Sequence, residues 1–259
     1  MVKICRVGLM VLISLLTVLV ACGPEPLTNE PSQPQSRKWD DLQTVVFSDA
    51  NLGAAIKNAL VLEGMRRKDR ALAQKPLDEP ITTDELAMLT IIEARSKQIS
   101  NLSGIEYCAN LAELYLTDNN IADISSLSPL LSLTKLDLGA NQISDISSLA
   151  SLIRLKELDL YHNRISDITA LASLTNLTHL FLFRNSIHDI SALSNLSKLD
   201  ELDLYGNEID DVSPLLENEG LSNGDFVRLA ENNLDLTPGS ADMADIQALK
   251  DRGVAVVLE

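Results

Sequence analysis

A small group of aromatic and charged residues has the composition and spacing of a binding surface. The aromatic members, several of them 22 residues apart, are Tyr161, Phe181, Phe183 and Tyr205. The charged members are Asp159, Arg184, Glu201 and Asp203. Only 3% of the chain is aromatic, so this concentration is informative. Aromatic side chains surrounded by charges are typical of the centre of a protein-binding surface. We therefore expect these residues to bind a partner.

Catalytic chemistry finds little support in the sequence. Asp137 and Asp159 are 22 residues apart and imitate the paired carboxylates of a glycosidase, but a solvated acidic face explains them more simply. The histidines, His162, His179 and His188, are too widely spaced in the repeat to share a metal ion. The chain contains no G-x-S-x-G, Walker or H-E-x-x-H motif. We predict a protein that binds rather than catalyses, with no metal and no cofactor.

A 22-residue repeat must position these residues. Its blocks begin at Leu89, Leu111, Leu133, Leu155, Leu177 and Leu199. They share the pattern L-x-x-L-x-L-x-x-N-x-I-x-D-I-x-x-L-x-x-L-x-x, and a fixed period of this length indicates a solenoid. In each block x-L-x-L predicts a short strand whose leucines, such as Leu136 and Leu138, point inward. We expect an α/β fold with a parallel sheet on the concave side and loops or short 3₁₀ turns on the convex side.

Two polar residues recur once in almost every block. The asparagines are Asn119, Asn141, Asn163, Asn185 and Asn207, and the aspartates are Asp123, Asp145, Asp167, Asp189 and Asp211. An inward Asn amide satisfies backbone groups of the turning chain. Lys97 replaces it in the first block, so that coil must be held by the segment before it. Each Asp caps the following turn. A calcium ladder is the alternative, but one Asp per coil falls short of the six to eight oxygens that calcium takes.

Capping segments flank the repeats, since an open solenoid end would expose core side chains. On the N-terminal side, Asp49 to Leu62 predicts a helix with Leu52, Ile56 and Leu60 on one face, and Thr82 begins a capping box. On the C-terminal side, a three-residue insertion precedes a strand at 227–229, a helix at 240–252 and a last strand at 254–258.

The N-terminus has the features of a bacterial lipoprotein signal. Lys3 and Arg6 precede an apolar stretch that ends in Leu-Val-Ala-Cys, a pattern that resembles a lipobox with Cys22 as the lipidated residue. An ordinary signal peptide that contains a cysteine is the alternative. The predicted segments are a signal peptide (1–21), lipidated Cys22 with a Pro-rich tether (22–38), an N-terminal cap (39–88), repeats (89–216) and a C-terminal cap (217–259).

The charge of the chain limits its partners. The formal net charge is −16, which argues against nucleic acid because phosphate binding needs clustered Lys and Arg. Residues 66–75, RRKDRALAQK, form a basic cluster in this acidic protein. It is either a solvated loop or a docking patch for anionic lipid or a partner. Cys108 occupies a repeat position that is leucine in later blocks, which favours a small buried hydrophobe over a reactive thiol.

The repeat pattern resembles the leucine-rich repeats of the internalin type over about residues 45–259. The block ISNLSGIEYCANLAELYLTDNN, residues 99–120, is similar to the first repeats of that group. The flanks resemble the caps of bacterial surface proteins that contain such repeats. This resemblance implies a leucine-rich-repeat solenoid on the bacterial envelope, facing outward or into the periplasm.

Together these features predict a membrane-anchored lipoprotein that binds a macromolecule, in the first place a protein with a basic patch, through its concave face. Two alternatives stay open. Aromatic platforms with carboxylates also suit sugars, so the chain is alternatively a glycan-binding module. It is otherwise a passive structural protein of the envelope, whose aromatic side chains pack on one another and protect the sheet.

Replacing Cys22 by serine removes the thiol that would carry the lipid. We expect the wild-type protein to partition with membranes and Cys22→Ser to remain without lipid. Mass spectrometry of the mature protein checks this, and an N-terminus other than a diacylated or triacylated Cys22 would contradict the lipoprotein prediction.

Overall fold

The computed structural model describes residues 43–76 and 78–259. The predicted signal peptide, the lipidated Cys22 and the tether lie outside these residues. In the described part of the chain, no helix is both long enough and apolar enough to cross a membrane.

An eight-stranded parallel sheet forms one side of the molecule. Its strands are β3 (Ile91–Glu93), β4 (Glu113–Tyr115), β5 (Lys135–Asp137), β6 (Glu157–Asp159), β7 (His179–Phe181), β8 (Glu201–Asp203), β9 (Phe226–Arg228) and β10 (Ala255–Val257). From β3 to β8 each residue pairs with the one 22 positions later, as Leu114 does with Leu136. Between β8 and β9 the offset is 25, from Glu201 to Phe226, which agrees with the three-residue insertion.

The other side of each coil is a short 3₁₀ turn. These turns are Ile105–Tyr107, Ser125–Leu127, Ser147–Ser151, Thr169–Ser173 and Ser191–Leu193, followed by the helix α4 (Ser213–Glu217) in the equivalent place. The core lies between the sheet and the turns, where Leu136 and Leu138 are buried while Lys135 is half-exposed. The predicted leucine-rich-repeat solenoid, with a parallel sheet and convex 3₁₀ turns, is confirmed.

The asparagine side chains join each coil to the one before it. Asn119 Oδ1 accepts hydrogen bonds from the N–H of Lys97 and of Ile99, and its Nδ2 donates to Ala94 and Leu116. One amide therefore satisfies backbone groups on two consecutive coils. From Asn141 to Asn232, each later amide accepts one N–H of the coil before it and donates to a carbonyl of that coil and of its own.

The aspartates cap the convex turns, as predicted. Asp145 Oδ1 accepts the N–H of Ser147 at 2.8 Å, and the equivalent bond recurs in each coil from Asp123 to Asp211. That backbone hydrogen bond lowers the pKa of Asp145 below its usual value. Within the described residues, no group of three or more His, Cys, Asp and Glu side chains is arranged to hold a metal ion.

A left-handed turn follows each strand from β3 to β9, at the eighth position of the coil. Its φ angle lies between 51° and 64°, and glycine occupies it only once among these coils. The residues are Ser96, Asp118, Ala140, His162, Arg184, Gly206 and Glu231. This turn directs the chain away from the sheet.

Helices and a two-stranded sheet precede the repeats. They are β1 (Thr44–Val45), α1 (Ala50–Arg67), α2 (Arg70–Ala73), β2 (Ile81–Thr82) and α3 (Thr83–Leu86). The inward face of α1 is as predicted, since Leu52, Ile56 and Leu60 are fully buried. The capping box at Thr82 is also present.

Asp49 fastens α1 to the first coil. Its Oδ1 caps the helix by accepting the N–H groups of Asn51 and Leu52. Its Oδ2 accepts the N–H groups of Ser100 and Asn101 in the first coil, where Lys97 replaces the repeated asparagine. Partial burial raises the pKa of Asp49, but these backbone N–H groups more than offset burial, so the net pKa is lowered. The first coil is thus held by the preceding segment, as the sequence predicts.

The expectation that α1 ends at Leu62 is wrong, because the helix continues to Arg67. Glu63 supports the extra turn by pairing with Arg66 and Arg67, and the left-handed Lys68 ends the helix.

The basic segment 66–75 is consequently not an irregular loop, although residues 66–71 are exposed to solvent. Much of it is helical, in the end of α1 and in α2. Arg67 also donates to the carbonyl of Met88 at 3.0 Å. Lys75 is 5% exposed and pairs with Glu85 at 3.0 Å. Several of its charges are therefore used within the fold.

The C-terminal elements follow the predicted order. α5 (Ala241–Asp251) packs against α4 and against β10. Cys108 is buried, and burial raises the pKa of its thiol to about 12, which disfavours a reactive cysteine.

Alanine substitutions at two neighbouring asparagines test the role of the repeated asparagine. Asn119→Ala should lower the free energy of unfolding by about 1–3 kcal/mol, because backbone groups on two coils lose their partner. Asn120 is exposed, so Asn120→Ala should stay within about 0.5 kcal/mol. Urea denaturation measures both, and equal losses would contradict the ladder.

Inward and outward strand positions are tested by a second pair. Leu136→Ala should cost about 2–5 kcal/mol because it leaves a cavity in a close-packed core. Lys135→Ala, whose ion pair with Glu157 is on the surface, should cost no more than about 1 kcal/mol. The same denaturation experiment compares them, and a similar loss at both positions would mean that the strand alternation is misassigned.

Candidate binding surface

The third, fifth and seventh positions of each coil present side chains on the concave face. Glu201, Asp159, Phe181 and Asp203 lie within the strands, and Tyr161, Phe183 and Tyr205 lie just beyond them. Arg184 lies at the left-handed turn after β7 and is exposed. The predicted residues therefore share one region of the sheet, spread over β6, β7 and β8. The aromatic side chains are half-buried.

Tyr161 and Phe183 stack on each other. Their ring centroids are 4.7 Å apart and the ring planes differ by 5°. Gly139 makes room for this pair, because a Cβ atom there would lie 2.1 Å from Cε1 of Tyr161. The two rings therefore pack on each other.

Tyr205 has a different environment, so the aromatic row is not one continuous stack. Arg228 lies 4.2 Å from its ring centroid and Arg184 lies 5.9 Å away, both within cation–π range. Among the described residues, Tyr161 and Phe183 are the only stacked aromatic pair.

A second aromatic–cation group lies toward the N-terminal end of the face. Arg95 is 4.1 Å and Lys135 is 5.7 Å from the ring centroid of Tyr115. The Tyr115 hydroxyl donates to Glu113 at 2.7 Å. Burial and then this bond to Glu113 raise the pKa of Tyr115 to about 12, so the phenol stays neutral at physiological pH.

Sequence analysis missed Arg95 and Arg228 as members of this surface. Arg95 is at the seventh position of the first coil, and Arg228 is at the fifth position of the coil that follows the insertion. Both arginines can be found from the sequence alone, by counting the outward positions through the irregular first and last coils.

Three aspartates at the fifth position form a row across the sheet. In each, Oδ1 accepts the N–H two residues later, at 3.2 Å for Asp137, 3.1 Å for Asp159 and 3.0 Å for Asp203. Asp137 Oδ2 pairs with Arg95 and Asp203 Oδ2 pairs with Arg228, each at 3.4 Å. No described lysine or arginine forms an ion pair with Asp159.

The pKa of Asp159 is raised to about 7. Burial is the largest cause, and the negative charges of Asp137 and Asp203 add to it, while the hydrogen bond from Tyr161 N–H opposes it. Burial and like charge both disfavour the ionised carboxylate. Asp159 therefore changes charge near neutral pH.

Histidine contributes little to this surface. His179 Nε2 is 3.9 Å from Glu201, whereas His162 lies at the turn beyond β6 and His188 pairs with Asp210 at 3.4 Å elsewhere on the coil. No step of covalent catalysis is evident in this arrangement. Half-buried aromatic side chains between acidic groups are suited to contact with another molecule.

The fold and this surface define a leucine-rich-repeat solenoid. Residues 131–173 and 175–217 each match the family model described as leucine-rich repeats in two copies. No curated protein matches the sequence.

Three solved structures illustrate the similarity to known proteins. The chain is similar to an internalin of Listeria monocytogenes, inlF, with 31% identity over 82% of this chain and a TM-score of 0.70. It spans 56% of the length of that protein. Internalin C2 of the same species is 27% identical over 83% of this chain and 95% of its own, with a TM-score of 0.56. A leucine-rich-repeat protein of Leptospira interrogans is 25% identical over 61% of this chain and 40% of its own, with a TM-score of 0.54. The chain thus contains leucine-rich repeats and is similar in structure to these internalins.

Asp159→Asn should stabilise the protein at pH 8. The folded-state pKa of Asp159, about 7, lies above the ordinary value, so between these two values the native state binds more protons than the unfolded state. The protonated carboxyl group therefore stabilises the native state at low pH, and this stabilisation is lost as the pH rises through 7. The amide oxygen can still accept Tyr161 N–H, so we expect a gain of about 1–2 kcal/mol in the free energy of unfolding at pH 8 and almost none near pH 4.

Urea denaturation at both pH values measures this gain. Asp137→Asn is the matched control, because it removes the same charge but also breaks the pair with Arg95 and should bring no gain. A loss of stability in Asp159→Asn at pH 8 would show that the ionised carboxylate is stabilised in the native protein.

Proposed function

We propose that this protein is an extracytoplasmic lipoprotein that binds a protein partner through the concave face of its solenoid. Solenoids of this kind use their extended concave surfaces for binding. The observation that carries the proposal is the half-buried group formed by Tyr161, Phe181, Phe183 and Tyr205 on that face. The leucine core is already closed beneath the sheet, so these side chains are not needed to complete it.

The charges around the aromatic side chains favour a protein with a basic patch. Asp159, Glu201 and Asp203 are the acidic surround, and Arg184 lies at its border. Such rim charges mostly tune the association rate and its dependence on salt. Nucleic acid is disfavoured by the net charge of −16.

Anchoring is proposed through lipid on Cys22, with residues 22–38 as a tether. The lipobox-like Leu-Val-Ala-Cys segment and the similarity to internalins support a place in the bacterial envelope, at the outer surface or facing the periplasm. We also propose residues 39–88 and 217–259 as the caps of the solenoid, because α1 packs against β3 and α5 packs against β10.

A glycan is a weaker candidate on this geometry. Sugar rings pack on free aromatic faces, whereas Tyr161 and Phe183 turn a face toward each other and Tyr205 lies beside two guanidinium groups. Catalysis is also disfavoured, because Asp137, the partner in the glycosidase-like pair, is bound to Arg95.

Removal of the stacked pair tests the proposed site. The full-length protein and its Tyr161→Ala/Phe183→Ala variant are used as baits, and dissociation constants are measured for each protein captured by the wild type. Truncation of aromatic side chains at the centre of an interface costs about 2 kcal/mol or more, which is roughly 30-fold in affinity.

The control variant is Tyr107→Ala/Leu131→Ala, which removes exposed apolar side chains away from the sheet. It should bind like the wild type. If the concave variant folds normally and binds equally well, the concave-face proposal is wrong. If truncation prevents folding, Tyr161→Leu/Phe183→Leu replaces it, because leucine keeps the site apolar while removing the rings. Capture of a glycan and no protein would favour the sugar-binding alternative.

A further inference from the structure

Asp159 differs from its two equivalents in one respect. The aspartates at this position in three coils make the same Oδ1 hydrogen bond to the backbone. The outer oxygens of Asp137 and Asp203 each face an arginine at 3.4 Å, but that of Asp159 has no cation among the described residues. The repeat thus provides an internal comparison, in which two carboxylates are neutralised and the one between them is not.

The cations of this face are already engaged. Arg95 pairs with Glu93 and Asp137, and it lies on the ring of Tyr115. Lys135 pairs with Glu157. On the other flank, Arg228 pairs with Asp203 and lies on the ring of Tyr205, and Arg184 lies beyond that ring. Among the described residues, no cation of this face is left to pair with Asp159.

The surroundings of Asp159 suit a long cationic side chain. Phe181 is its direct partner on β7, and Tyr161, which stacks on Phe183, lies two residues later in its own chain. These rings provide apolar walls for methylene groups, and aromatic faces attract cations. The charged and titratable neighbours on the face are Lys135 and Asp137 of β5, Glu157 and Tyr161 on the same coil, His179 of β7, and Glu201 and Asp203 of β8. Apart from Lys135, which is paired, and His179, they are acidic or neutral groups.

We propose that Asp159 accepts a lysine or arginine side chain that the protein partner inserts between Phe181, Tyr161 and Asp137. This inference rests on the proposed function and adds the chemistry of the contact at its centre. The contact forms no covalent bond, since it is an ion pair between Asp159 Oδ2 and the partner's ammonium or guanidinium group. Because the surrounding rings are apolar, the partner's side chain needs several methylene groups between its backbone and its charged group.

Such a contact makes binding depend on pH. A cation binds the ionised form of Asp159, whose pKa in the free protein is about 7, so binding lowers this pKa and releases a proton. By linkage the affinity then increases as pH rises through 7 and falls at lower pH. Asp137 and Asp203 raise the pKa further in the free protein, and both stay paired with their arginines.

The first experiment uses butylammonium and butylguanidinium as probes, with butanol as the uncharged control. Each is titrated into the full-length protein at pH 8, and the amide NMR shifts of Asp159, Tyr161 and Phe183 are followed. We expect saturable shifts with both cations and none with butanol. Asp159→Asn should weaken binding by about tenfold or more, and lowering the wild-type sample to pH 5.5 should have a similar effect.

The control for net charge is Asp210→Asn, which removes an exposed carboxylate away from the strands and should change the affinity less than twofold. Equal shifts with butanol, an unchanged affinity in Asp159→Asn, or a pH-independent affinity would each overturn the inference. Equal weakening by Asp210→Asn would also overturn it, because the probes would then respond to overall charge.

The captured partner separates this inference from the proposed function. If Tyr161→Ala/Phe183→Ala loses binding but Asp159→Asn does not at pH 8, the concave face is the binding site and the inference of an inserted cation is wrong. If neither variant loses binding, the concave-face function itself fails. Loss with both variants, together with weaker binding at pH 5.5, supports both proposals.

Discussion

The bond from an asparagine amide to the backbone of two successive coils is the interaction on which the rest of the structure depends. A chain that turns out of a strand every 22 residues buries polar backbone groups that no helix or sheet satisfies. Asn119 and its equivalents satisfy them, and in doing so fix the spacing and rotation between coils. The first coil has no such residue of its own, which explains why Asp49 reaches across from the preceding helix.

Because neighbouring coils are in fixed register, side chains of the same type accumulate in rows. A row of leucines fills the core with no electrostatic repulsion between its members. A row of carboxylates on one face concentrates negative charge, and its members repel one another. The molecule compensates with arginines from the irregular first and last coils, and these reach Asp137 and Asp203 from the two sides. Asp159 is the member of the row that neither arginine reaches, so the centre of the face differs chemically from its flanks.

The period and the alternation of leucines were sufficient to predict the sheet, the convex turns, both polar ladders and the region in which the aromatic residues gather. They do not predict how side chains on the surface choose partners. Whether Phe183 stacks on Tyr161 or on Tyr205 depends on the space above Gly139 and on Arg228, which lies beyond an insertion. The end of α1 was missed for a similar reason, since Glu63 extends it through contacts with Arg66 and Arg67 that have no hydrophobic period.

The left-handed turn at the eighth position has a consequence for how such a surface changes in evolution. Six of its seven occupants in these coils are not glycine, although this backbone conformation costs an ordinary residue about 1–2 kcal/mol. None of the six is β-branched, and serine, aspartate, histidine and arginine are all found there. The border of the concave face can therefore acquire new charges by single substitutions while the leucines and asparagines beneath it stay unchanged, and recognition is free to diverge on one scaffold.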